Sequence, residues 1–124
     1  MAAYSRYPIE GRPTELVVVN LHGVNFTSTK KLENQLNGIA ERIGNHQGPL
    51  IVAGDYNTRN KSRFKVMDKF AEQLQLEVLE LKNDDRNKPL DHILARGLKV
   101  HEAKILPGIE SSDHPALWSE LEVE

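Results

Sequence analysis

The spacing of apolar residues changes along the chain, and the changes mark out its elements. Val17, Val18 and Val19 form a β-branched run, read as a strand buried on both faces that ends near Asn20-Leu21-His22-Gly23. Leu32, Leu36, Ile39, Ala40 and Ile43 then recur at three- and four-residue spacing. That spacing puts them on one face of a helix, capped by Ser28 or Thr29 and stopped at Gly44. Gly48-Pro49 breaks the chain, and residues 50–53 return to a short buried strand. A second helix is predicted over residues 63–73, with the stripe Phe64, Met67, Phe70, Ala71 and Leu74. Further strands are predicted at 76–79, 90–95, 98–105 and 116–123, with loops at 83–89 and 107–115 where Pro, Gly, Asn and Asp gather. Residues 4–13 carry two prolines and a glycine without periodicity, so residues 1–14 read as an extended lead-in. The element order predicts an α/β fold, a mixed sheet with helices on one face.

Composition narrows the classes of function. The longest apolar runs, such as Leu50-Ile51-Val52-Ala53, are far short of the roughly 18 residues that span a bilayer, so no membrane partner is expected. Residues 1–10 show no charged-then-apolar signal peptide. With no cysteine there is neither a disulfide nor a thiolate metal site, and a cytoplasmic location is expected. A net charge of −2 gives no global positive field for nucleic acid. One local basic run, Arg59, Lys61, Arg63 and Lys65, is by default a solvated face.

Polar chemistry collects where predicted strands stop. Four clusters do so: Asn20 to His22, Gly54 to Asn57, Leu90-Asp91-His92, and Ser111-Ser112-Asp113-His114-Pro115. Side chains at the ends of neighbouring strands converge, and ligands of α/β folds bind there. Together the clusters offer three carboxylates, two amides and imidazoles. Hard oxygen donors without thiolates suit Mg²⁺ or Mn²⁺. The set fits metal-assisted attack of water on a phosphate ester, with Asp55 orienting the water and Asn57 holding a phosphoryl oxygen. Each cluster alone has a plainer reading, since Asp-x-Asn after glycine is commonly a turn and a lone His at a strand end is commonly structural. Their joint occurrence in this order carries the functional reading.

In that order, Asn20-Leu21-His22, Gly54-Asp55-Tyr56-Asn57, Leu90-Asp91-His92 and Ser112-Asp113-His114-Pro115 resemble the second half of the endonuclease/exonuclease/phosphatase superfamily, the DNase I-like fold. Residues 7–13 and 19–26, with Arg96-Gly97-Leu98, look closest to its bacterial YafD-like branch. The resemblance implies half of a four-layer α/β sandwich, with residues 1–124 as the C-terminal half of the domain. It implies that His22 contacts the scissile phosphate, Asp55 activates or positions the water, and Asn57 binds a phosphate oxygen. Asp91 then hydrogen-bonds the final histidine, His114, and Asp113 lies on the metal side. Asp55, Asn57 and Asp113 are the implied metal-side set for Mg²⁺ or Mn²⁺, and Asn20, His22 and Asn57 the phosphate-binding set. His46 and His101 match nothing, and His92 occupies a variable position.

The family's first half supplies an asparagine and the glutamate that is the main Mg²⁺ ligand, and this chain has no Gln-Glu pair. Metal-dependent phosphodiester or phosphomonoester hydrolysis is therefore expected to be weak or absent in the chain alone. One sheet face is expected to lie open, to be covered by the missing N-terminal half or by a second copy. The alternatives are a self-associating or partner-binding half-domain without catalysis, and a non-catalytic phosphate or nucleic-acid binder. The basic run beside the Asp55–Asn57 loop tilts the substrate toward nucleic acid.

Overall fold

The computed structural model describes residues 2–22, 28–86, 89–106 and 115–124. The elements are β1 (Ala2–Pro8), β2 (Glu15–Leu21), α1 (Thr29–Ile43), β3 (Leu50–Asp55), α2 (Lys61–Gln73), β4 (Glu77–Val78), β5 (Asp91–Arg96), β6 (Leu98–Ile105) and β7 (Leu117–Val123). Five strands form one sheet in the order β1-β2-β3-β5-β4, and β6-β7 is a separate hairpin. Among the described strand pairs only β2 and β3 run parallel, and α1 makes the crossover between them; the other strand pairs are antiparallel. The expected mixed sheet with helices on one face is what forms.

Alternation along the central strands explains the layering. Val17, Val19, Leu21, Leu50, Val52 and Leu94 share one face, buried against Leu32, Leu36, Ile39, Ala40 and Ile43 of α1 and Met67, Phe70 and Ala71 of α2. Ser28 caps α1, its hydroxyl accepting from the Lys31 N–H. Asn60 caps α2 in the same way, accepting from Arg63 N–H. The second helix therefore starts two residues before the expected Arg63. Arg63 is itself buried, at 5% exposure, while Arg59, Lys61 and Lys65 are exposed. The basic run is thus split, and it does not form one solvated face.

The lead-in reading is corrected. Ala2–Pro8 is an edge strand whose backbone pairs along all of β2, from Ala2 opposite Leu21 to Pro8 opposite Glu15. Its stability comes from that ladder and from Tyr4, which packs on the core beneath the Arg42 guanidinium, 4.2 Å from the ring centroid. A proline is tolerated at the end of an edge strand because no ladder donor is lost there.

The opposite sheet face is only partly open, which corrects the expectation of a bare face. Ile51, Ala53, Ile93 and Ala95 meet Leu98, Ala103, Leu117 and Leu121 of the hairpin in a second apolar cluster. Toward the β1 edge, Leu16 and Val18 remain half-buried and Asn20 exposed. Arg96 ties the far end of β5 to its surroundings by donating to the carbonyls of Gly48, Leu74 and His46. Among the described residues no helix is long and apolar enough to cross a membrane.

Candidate phosphate and metal site

The parallel register of β2 and β3 puts Asn20 opposite Ala53, and the antiparallel register of β3 and β5 puts Asp55 opposite Asp91. Opposed residues of a ladder project to the same side. Asn20, Asp55 and Asp91 therefore share the sheet face away from the helices. Asn20, Ile51, Ala53, Gly54, Asp91, Ile93, Pro115, Leu117 and Ser119 line a cleft of about 370 Å³ on that face. Asp55 stands two residues beyond Ala53, with the same strand parity. His22 follows the end of β2, two residues past Asn20, and is exposed. Asp113 and His114 lie outside the described residues.

Beyond β3 the chain turns sharply into α2. Asp55 Oδ1 accepts from the Asn57 N–H at 2.7 Å, and Asn57 adopts a left-handed φ of 52°, which asparagine tolerates. Tyr56 anchors the turn from inside. Its ring is fully buried, its hydroxyl donates to the Val52 carbonyl, and its N–H donates to the Leu90 carbonyl. Burial pushes the Tyr56 phenol well above its ordinary pKa. Asn57 is 3% exposed, and its Oδ1 accepts from Arg59 Nε at 3.0 Å and Nη2 at 2.9 Å. Its Nδ2 is buried without a hydrogen-bond partner.

The Asp91 end is fixed by groups to which the sequence pattern assigned no role. Arg86 donates to the Asp91 carbonyl at 2.7 Å and also grips Asp84, whose carboxyl it holds below the usual range. His92 is buried and packs edge-on against Tyr56 and Phe64. The Thr58 hydroxyl donates to the Pro89 carbonyl and so accepts from His92 Nε2, which fixes the ring as the Nε2–H tautomer. His92 thus pins the turn after β3 to the loop before β5. The two unmatched histidines are also structural: His46 bonds the Pro49 carbonyl, and His101 pairs with Glu122 at the surface.

Burial, and secondarily the charge of Arg86, lower the pKa of His92 from 6.5 to about 4. The neutral ring is therefore the folded form. Its contribution to stability is complete above the unfolded pKa and is lost as pH falls from about 6.5 toward 4. Between pH 7 and pH 5 the chain is expected to lose on the order of 2 kcal/mol from this group alone. Urea midpoints at the two pH values measure it. His92→Gln keeps a donor for Thr58 but does not titrate, so it should flatten most of that difference.

The donor chemistry can be tested against a divalent cation. The register-paired carboxylates of Asp55 and Asp91 offer the hard oxygen donors that such an ion takes. Asn57 does not fit as a further ligand in this arrangement, because its oxygen already faces the Arg59 guanidinium. Its NH₂ group instead suits an acceptor oxygen. Among the described residues no group of three or more His, Asp or Glu side chains is placed to hold a metal.

The model of the Endonuclease/Exonuclease/phosphatase family matches residues 1–114. The chain belongs to this family. A UPF0294 protein of Yersinia enterocolitica is 40% identical over 122 residues, covering 94% of this chain and 46% of the relative. A UPF0294 protein of Erwinia tasmaniensis is 37% identical over 127 residues, covering 98% and 47%. The chain thus spans about half the length of these curated relatives. Among solved structures, the human Nocturnin catalytic domain with bound sulfate anion aligns with a TM-score of 0.65 at 22% identity, over 99% of this chain and 52% of that one. An endonuclease/exonuclease/phosphatase family protein of Leptotrichia buccalis aligns at 0.66 and 19%, over 98% and 53%. These structural likenesses show the DNase I-like fold, of which this chain is about half.

Proposed function

We propose that the chain carries the C-terminal half of a metal-dependent phosphoesterase centre that hydrolyses phosphodiester or phosphomonoester bonds. One observation carries the reading: Asn20, Asp55 and Asp91 converge on one sheet face, while the neighbouring turn buries the unpartnered NH₂ of Asn57. Asp55 orients the attacking water and takes its proton. Asn57 Nδ2 donates to a phosphoryl oxygen, a bond that would satisfy an otherwise costly buried donor. His22 adds a further phosphate contact, with Asn20 beside it. His114, oriented by Asp91, neutralises charge that develops on the phosphoryl group. Mg²⁺ or Mn²⁺ would be held by Asp55, Asp91 and Asp113 together with ligands from the other half, and when bound it supplies Lewis-acid polarisation of the phosphoryl oxygen.

Nucleic acid remains the favoured substrate class, on the weaker ground that three exposed cations, Arg59, Lys61 and Lys65, follow the Asn57 turn. A second reading, a half-domain that pairs with its first half or with another copy, is favoured by Leu16 and Val18, which stay half-buried beside the exposed Asn20. The two readings part in one experiment. The 124-residue chain is assayed for Mg²⁺-dependent hydrolysis of bis(4-nitrophenyl) phosphate, alone and with the first half of a complete family protein. The expected result is turnover at least about 100-fold higher when both halves are present, as removal of transition-state contacts predicts. Association of the halves without turnover would favour the binding reading. Robust turnover by the chain alone, abolished by His114→Ala, would contradict the expected dependence on the first half.

A further inference from the structure

The side-chain amide of Asn57 can sit in two orientations that exchange oxygen for NH₂, and the protein selects one of them. Arg59 does the selecting, because two N–H groups of its guanidinium, Nε and Nη2, converge on the same Oδ1 at 3.0 and 2.9 Å. The reversed amide would set NH₂ donors against guanidinium donors and a positive charge. The backbone holds the pair together: the Arg59 N–H donates to the Asn57 carbonyl at 2.8 Å, and the Asn57 N–H is tied to Asp55. What the fixed orientation leaves over is Nδ2, a buried donor with no partner in a residue 3% exposed. Such a donor costs stability unless an acceptor arrives. Arg59 itself is exposed, so its ordering on Asn57 is not forced by core packing.

We infer that Arg59 is a positioning residue: it locks the Asn57 amide with NH₂ presented to a phosphoryl oxygen and withholds the amide oxygen from any metal. This rests on the phosphate-binding reading of Asn57. It assigns to Arg59 a task distinct from general attraction of a polyanion. A charge-assisted pair of bonds to one oxygen fixes geometry more firmly than a single cation does, so lysine should be a poor substitute.

The test uses the ¹⁵N-labelled 124-residue chain, with inorganic phosphate as the probe and side-chain N–H signals as the readout. In the wild type the Arg59 Nε–H signal should persist, and the Asn57 NH₂ pair should shift as phosphate is added. Arg59→Ala should move the Asn57 NH₂ pair toward the position of an unrestrained amide and weaken phosphate binding by about 10-fold. Arg59→Lys should restore neither fully. An unchanged Asn57 pair in Arg59→Ala, in a chain with wild-type backbone signals, overturns the inference. So does full recovery of phosphate binding by Arg59→Lys while the Asn57 pair stays displaced, since that would make Arg59 only a charge. If phosphate shifts nothing in the wild type but Arg59→Ala still displaces the Asn57 pair, the positioning role stands and the phosphate reading falls.

Discussion

Gly54→Ala is expected to abolish the native fold. Gly54 adopts φ +131°, a conformation that side-chain-bearing residues rarely take, and it lies opposite Leu21 in the parallel β2–β3 pair. A methyl group there would lie 2.2 Å from the Leu21 oxygen and 2.9 Å from its nitrogen. The obstacle is backbone, so no rotamer change relieves it; the two strands would have to part. They are flanked on both sides in the sheet and carry Val19 and Val52, both fully buried. The cost should exceed about 4 kcal/mol, a large fraction of what holds a small domain together. Circular dichroism and urea titration would show a chain that is mostly unfolded. Gly38→Ala is the control: it sits on α1 with nothing within 4 Å of an added methyl, and should be neutral or stabilise by roughly 0.5–1 kcal/mol. A Gly54→Ala chain with a native urea midpoint would show that the β2–β3 approach is looser than described.

Asp55→Asn is expected to leave the fold intact and to remove most of the activity of the complete two-half protein. The substitution is nearly isosteric, and an asparagine oxygen still accepts from the Asn57 N–H, so the turn survives. In the proposed mechanism it removes the base, and in the β3–β5 pair it removes one of two register-paired charges. Loss of a positioned base costs about 10²–10⁴-fold, and loss of an anionic metal ligand adds to it, so kcat should fall by at least about 10³-fold. KM should change far less, because Asn57 and His22 remain to bind the ester. Thermal unfolding of the two proteins, measured beside the kinetics, separates chemistry from stability.

Much of this architecture was legible because local pattern and tertiary packing agree. Each position of the α1 stripe is buried, and the Leu50–Ala53 run occupies the sheet centre, where both faces are covered. β1 was not legible. Its only periodic partner is β2, and an edge strand with Tyr7 exposed at 52% has no apolar alternation of its own. The start of α2 was also not legible: it is set by the Asn60 side chain, which caps the helix two residues before the apolar stripe suggests.

The site divides in the same way. Asn20, Asp55 and Asp91 could be paired from sequence because each ends or begins a strand, and strand register then makes them neighbours. The groups that hold them could not. Thr58 and His92 meet across 34 residues, and their bond depends on how two loops pass each other. The Arg59 clamp on Asn57 spans only two residues, yet it depends on a left-handed turn that the composition of the loop permits without requiring.

The most direct test of the proposed phosphoesterase centre is hydrolysis of bis(4-nitrophenyl) phosphate by a complete protein in which this chain supplies the C-terminal half. Rates are taken with Mg²⁺, with EDTA, and with Asp55→Asn. The expected result is turnover that needs the divalent cation and falls by at least about 10³-fold in Asp55→Asn at unchanged thermal stability. Turnover that persists undiminished in the folded Asp55→Asn protein would contradict the account.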